Sequence, residues 1–194
     1  MSELLYNPDI HEYRLDGRRI ASVTEIISAA GLMDFCTAGE ERMTLGRYIH
    51  QAIALYDQGE LDMDALDPDW RPYLEQWIRF KAETGFEAIQ GETPYYSQIY
   101  DFAGTPDKEG MLNGRRVLLD YKSGSPAKWH NVQLAAYAKL LEENGLKMDK
   151  TFKLYLGSDD GLPRLREVSY QARLIAWNVF MAAFTIHIFK EGKG

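Results

Sequence analysis

The sequence predicts an α/β chain: a mixed central β-sheet flanked by helices, with an α-rich N-terminal half. Three observations predict it. Two long helical stretches, 38–57 and 68–83, come before any long apolar strand. "VLLDY" (117–121) is a near-continuous apolar run, the pattern of a strand covered on both faces. "NVQLAAYAKLLEENG" (131–145) then follows as an amphipathic helix, the kind of element that covers such a sheet.

The elements follow in order. "HEYRLDGRRIAS" (11–22) sets Asp16-Gly17 between two short runs with apolar or aromatic residues, a hairpin signal. "SVTEIISAAG" (22–31) reads as a short helix, with Ser22 or Thr24 as its cap and Gly31 as its stop. The helix over 68–83 is opened by "DPDWRP". Past residue 85 aromatic and β-branched residues are broken by Gly, Pro and Asn-Gly, and "MLNGRRVLLDY" (111–121) is a second hairpin. The aromatics of "PYYSQIYDF" (94–102) read as core and sheet-face packing, with stacking of one or two of them on the bases of a single strand as the alternative. Gly145 ends the helix over 131–145. "KTFKLYLGS" and "RLREVSY" are two further strands, and a helix over 170–190 closes the chain. With no repeat, low-complexity tract or Pro/Ser-rich linker, residues 1–194 read as one domain.

Composition narrows the function classes. The hydrophobic share of 45% and charged share of 26% are those of a soluble globular protein. A formal charge of −7 argues against coating nucleic acid by bulk electrostatics, though a local basic groove is compatible with it. The single cysteine, Cys36, excludes a disulfide framework and a four-cysteine iron–sulfur or zinc site built by this chain alone. "LIAWNVFMAAFTIHIF" (174–189) is short for a membrane span and contains His187. The N-terminus lacks the layout of a signal peptide, so no membrane association and a cytoplasmic location are expected.

One stretch carries chemistry. "GTPDKEGMLNGRRVLLDYKSG" (104–124) places Asp107 after a proline and Asp120-Tyr121-Lys122 at the end of the apolar strand. Alternate strand residues share a face, so Asp120 and Lys122 project together. If the 99–112 segment pairs with 115–121, Asp107 lies near Asp120. Two adjacent carboxylates raise each other's pKa unless a cation sits between them, and Mg2+ or Mn2+ is the natural partner. Lys122 would then position or help deprotonate an attacking water and stabilise charge at a phosphodiester. The plain alternative is a solvated Asp-x-Lys pair at a strand end. Gln133 and Tyr137, four residues apart on the next helix, either meet substrate or cap an apolar face. His50, in "LGRYIHQAI" (45–53), sits on a predicted helix with Gly46 one turn before it.

"GTPD", "LLDYKSG" and "QLAAY", in this order with "GRYIHQAI" upstream, resemble the PD-(D/E)XK nuclease superfamily, in particular its RecB-like, phage-type exonuclease branch. "SVTEII" near the start resembles phage-encoded members. The resemblance runs from about residue 20 to 140 and implies a restriction-endonuclease-like core. It implies that His50, Asp107 and Asp120 are metal ligands with the Tyr121 backbone carbonyl, and that Lys122 is the catalytic lysine. Gln133 and Tyr137 would hold the DNA backbone or orient the site. Glu92, in "GETPYY", would bind a second ion or support the first. The branch also contains members with four cysteines around an iron–sulfur cluster, and with Cys36 alone this chain resembles the cluster-free kind.

The implied function is an Mg2+- or Mn2+-dependent DNA nuclease, an exonuclease acting in phage-type recombination, repair or DNA processing, alone or with a recombination protein. A 3′-oxygen leaving group and a 5′-phosphate product come with the family. Arg115, Arg116 and Lys128 are expected near the centre as substrate-binding cations, giving weak, salt-sensitive, sequence-independent binding of single- or double-stranded DNA. The rival is a non-catalytic DNA-binding or scaffolding subunit that keeps the fold.

Overall fold

The computed structural model describes residues 3–33 and 40–192. Cys36 lies outside them. The chain opens with three short strands, β1 (Leu4–Asn7), β2 (Glu12–Leu15) and β3 (Arg18–Ser22), followed by helices α1 (Val23–Ala29), α2 (Glu40–Gln58) and α3 (Arg71–Thr84). Five strands come next: β4 (Glu87–Gly91), β5 (Tyr95–Ser97), β6 (Phe102–Gly104), β7 (Lys108–Leu112) and β8 (Arg115–Lys122). Helix α4 (Trp129–Glu143), strands β9 (Lys150–Tyr155) and β10 (Arg164–Val168), and helix α5 (Tyr170–Lys190) complete it.

Local chemistry explains the boundaries. Ser22 caps α1 by accepting from the Glu25 amide at 3.0 Å. Gly85, left-handed at φ 65°, ends α3 and donates its N–H to Lys81. The β7–β8 turn is Asn113-Gly114 with φ of 52° and 71°, the mirror-image turn that matches strand twist. That turn sets the register, pairing Lys108 with Leu119. Asp107, one residue earlier, therefore comes opposite Asp120.

The expected mixed sheet flanked by helices is the five-stranded β10-β9-β8-β7-β4, and a second five-stranded sheet, β1-β2-β3-β6-β5, accompanies it. Both are mixed, through the parallel pairs β3–β6 and β8–β9. The N-terminal half is α-rich through α1, α2 and α3, and its first three strands, two of them the expected hairpin, start the smaller sheet. Strand β3 finds its parallel partner some eighty residues downstream, and no local pattern announces such a pairing.

The β8 strand is covered on both faces, as its apolar run predicts. Leu118 packs with Val23, Ile26, Leu134, Leu140 and Phe180, beneath α1, α4 and α5. Val117, Leu119 and Tyr121 pack the other way with Ile49, Ile53, Leu74 and Trp77 of α2 and α3. Phe102 is fully buried in the first cluster, and Tyr95 and Tyr100 pack against it. Helix α5 corrects an expectation. By length and composition it is long and apolar enough to cross a membrane. One face of it, with Ala176, Phe180, Ala183 and His187, is buried against the rest of the fold.

Candidate active site

Five segments bring their side chains to the C-terminal end of β8. Helix α2 supplies His50, and one turn earlier its Gly46 faces Ser123, where an added Cβ would make an ordinary contact of 3.5 Å with the hydroxyl oxygen. Glu92 follows β4 with a positive φ of 52°, its N–H bonded to the Pro106 and Asp107 carbonyls. Asp107 precedes β7, Asp120, Tyr121 and Lys122 end β8, and Gln133 and Tyr137 come from α4.

The contacts form a chain. Asp107 Oδ2 accepts the Tyr121 N–H at 2.9 Å, while its Oδ1 is 3.7 Å from His50 Nδ1. Glu92 Oε1 lies 3.9 Å from the same nitrogen and accepts the Tyr121 hydroxyl at 3.3 Å. Lys122 Nζ donates to Asp120 Oδ1 at 2.8 Å and to Gln133 Oε1 at 2.9 Å. Gln133 Nε2 donates in turn to the Tyr137 hydroxyl at 3.0 Å. Tyr137 is itself buried, and Gly104 is what lets it in: a Cβ there would come within 2.8 Å of its ring.

Burial dominates the electrostatics. It pushes Asp120 up to about 7 despite the Lys122 ammonium, and neighbouring Asp107 adds to the rise. Asp107 and Glu92 also shift upward, both chiefly by burial, and Asp107 adds to the rise at Glu92. Burial and the Lys122 charge lower His50 to about 4, so its imidazole is neutral and free to act as a ligand. Lys122 behaves otherwise. Burial disfavours its charge, yet Asp120 and Asp107 outweigh that and raise its pKa.

Can these residues hold a hard cation? Among the described residues no group of three or more His, Cys, Asp or Glu side chains stands ready as an ion cage. The donor set nevertheless fits one. Asp120 is fully buried, and its Oδ2 has no hydrogen-bond partner. An orphaned buried carboxylate oxygen is costly unless something charged meets it. The two carboxylate oxygens facing His50 Nδ1 stand too far off to be hydrogen-bonded. They are about as far from it as donors that share one ion at roughly 2.0–2.6 Å would be.

Of the residues singled out from sequence, His50, Glu92, Asp107, Asp120, Tyr121, Lys122, Gln133 and Tyr137 come together here. Arg115 and Arg116 do not, which corrects the expectation that they lie near the centre. They flank the turn at the opposite end of β8, and Arg116 is four residues from Asp120, roughly 13 Å of extended strand. Arg116 is also engaged, donating to Glu109 at 3.0 Å. Lys128 is exposed just before α4, beside the Trp129 ring that lies 5.7 Å from Lys122 Nζ.

Sequence reasoning missed several neighbours. Lys153 pairs with Asp120 across the β8–β9 ladder, and the alternation Lys153, Tyr155 was the available signal. His130 of α4 is buried with its Nδ1 3.1 Å from the Tyr155 hydroxyl. Asp57 joins Lys81, Lys108 and the Trp77 indole beneath the site, and nothing in the sequence marks it.

Comparison with known proteins yields structures only. No family model matches the chain, and no curated protein matches it in sequence. The crystal structure of an inferred exonuclease from Eubacterium rectale superposes with a TM-score of 0.52 at 14% identity, covering 77% of this chain and 69% of that one. That likeness is one of fold. Two structures of the alkaline exonuclease from Laribacter hongkongensis, one in complex with dAMP, cover 89% of this chain and 92% of theirs at 14% and 15% identity, with TM-scores of only 0.35. The mixed α/β fold is shared with the Eubacterium rectale structure.

Proposed function

We propose that this chain is a metal-dependent DNA nuclease of the cluster-free, RecB-like PD-(D/E)XK kind. It acts as an exonuclease on linear DNA in phage-type recombination, repair or processing, alone or with a recombination protein. The observation that carries the reading is the meeting of His50, Asp107, Asp120, Lys122 and Gln133, with one buried carboxylate oxygen left for a cation.

His50, Asp107, Asp120 and the Tyr121 backbone carbonyl would hold Mg2+ or Mn2+, with Glu92 at the margin. The ion supplies Lewis acidity and lowers the pKa of a bound water. The protein's own groups do the rest. Lys122, bonded to Asp120 and Gln133, would position the attacking water or donate a hydrogen bond to a phosphate oxygen. Gln133 fixes the ammonium from one side and Asp120 from the other. Tyr137, shut off from solvent, positions Gln133 through its hydroxyl and does not meet DNA.

The test is degradation of linear single- and double-stranded DNA with Mg2+ or Mn2+ against chelator. Cleavage by the native chain, with a loss on the order of 10²–10⁴-fold in Asp120→Ala and Lys122→Ala, is the expected result. DNA binding without cleavage under any divalent ion would establish the scaffolding reading instead.

A further inference from the structure

One and two strands over from Lys122 stand two cations that, among the described residues, make no ion pair. Asp120 of β8 pairs with Lys153 of β9, which pairs with Arg166 of β10. Paired residues share a face, so Lys153 and Arg166 project to the side that carries Asp120 and Lys122. Contacts agree: Lys153 Nζ donates to Asn131 and Tyr155 reaches His130, both on α4. The opposite faces of β9 and β10 go to the core through Phe152, Leu154 and Leu165.

Both cations stand over one ring. Lys153 Nζ is 5.9 Å, and the Arg166 guanidinium 5.7 Å, from the centroid of Tyr155. The other basic residues of these strands are matched, Lys150 with Glu167 at 2.7 Å and Arg164 with Asp160 at 2.8 Å. Among the described residues neither Lys153 nor Arg166 makes an ion pair. Lys153 is half-buried. Its pKa is pushed down by burial, and further by Arg166 and Lys122, against the pull of Asp120. Like charges crowded beside a carboxylate site are costly unless an anion settles among them. Trp129, half-buried and next to Lys122, adds an aromatic face, and cations lining a backbone with an aromatic for a base are the pattern of single-strand binding.

We infer that Lys153 and Arg166 form a track for the phosphodiester backbone of a single nucleic-acid strand leading from the Asp120–Lys122 centre across β9 to β10. From β8 to β10 the row spans about 10 Å, at roughly 4.8 Å per strand, enough for phosphates adjoining the one at the centre. The track rests on the nuclease reading for its substrate class, but it is a binding surface and is tested without chemistry.

The experiment measures binding of fluorescent oligodeoxythymidylate to the full chain in chelator, across a series of salt concentrations. For a single strand, every phosphate that the protein ceases to neutralise lowers the slope of log K against log salt by about 0.7. Arg166→Met, at an exposed position that does not threaten folding, should lower it by about 0.7, and Lys153→Met with Arg166→Met by roughly 1.4. Lys150→Met, on the other face of β9, should leave it unchanged. An unaltered slope in both Arg166→Met and the double variant overturns the track, as does a fall seen only with duplex. If the slopes fall as expected but no divalent ion supports cleavage, the track stands and the nuclease reading fails. If cleavage persists and the slopes do not move, the reverse holds.

Discussion

Asp57→Ala should be among the most damaging single changes to the stability of this protein, although Asp57 touches none of the proposed catalytic residues. Its Oδ1 accepts from Lys81 Nζ at 2.7 Å and from the Trp77 indole at 3.1 Å, and its Oδ2 is ion-paired with Lys108 Nζ at 2.9 Å. The Lys108 side chain is only 5% exposed and that of Asp57 10%, whereas Lys81 is 29% exposed. Solvent screens the Lys81 arm, which contributes little. The Lys108 arm decides the cost, because removing Asp57 strands an ammonium in the interior, a penalty of about 3–5 kcal/mol. In a chain of this size that is a fall in Tm of roughly 6–20 °C. Calorimetry or thermal circular dichroism reads it directly. The double variant Asp57→Leu with Lys108→Met removes both charges and should recover most of the stability, since a buried pair is about as stable as an apolar one of similar volume. The pH dependence has a definite sign. Burial opposes the charge on Asp57, but its partners hold the carboxyl below its ordinary value of 3.8. Its contribution is therefore present above pH 3.8 and disappears as pH falls through the folded value. A Tm change under about 2 °C for Asp57→Ala, or a double variant no better than the single one, would refute the reasoning.

Other outcomes follow from the same geometry. Tyr137→Phe removes the acceptor of Gln133 Nε2 inside the fold. It should cost about 1–3 kcal/mol by denaturant melt and slow cleavage, with Gln133→Ala epistatic to it. Gly104→Ala drives a Cβ to 2.8 Å from the Tyr137 ring and should destabilise by about 1–3 kcal/mol. Phe102→Ala, at a position with no exposure, should cost about 3–5 kcal/mol in the same melt. His130 is held neutral, its pKa lowered to about 3 by burial and by the Lys122 and Lys153 charges. The unfolded chain takes up that proton below pH 6.5 and the folded one does not, so stability falls as pH drops from 6.5 toward 3. The slope is about 1.4 kcal/mol per pH unit, and a His130→Gln chain should lack it in pH-dependent melts.

Much of the candidate site could be read from the chain because its parts are close in sequence. Asn113-Gly114 specifies a two-residue turn, the turn sets an antiparallel register, and that register carries Asp107 across from Asp120. Strand alternation then puts Lys122 beside Asp120. The same register could have warned against Arg115 and Arg116: residues that flank a turn lie at the far end of the hairpin from those that close it. The resemblance alone named Glu92 and gave His50 a ligand's role, for no local rule says which helix docks under a strand end. Gln133 and Tyr137 were placed on one helical face by their spacing, but whether that face met solvent or core was open. Gly104, packed on the Tyr137 ring, answers it.

By itself, then, the sequence determined the helices, the two hairpins and the short-range geometry of the acidic pair, because these depend on backbone torsions and on periodicity within one or two elements. Tertiary structure alone decided the second sheet, the docking of His50, the Asp57–Lys108 pair and the alignment of Lys153 and Arg166 with Asp120. Each of these joins segments far apart in the chain. Such pairings are selected by the apolar surface that all the elements bury together, a property of the whole packed core and of no single window of residues.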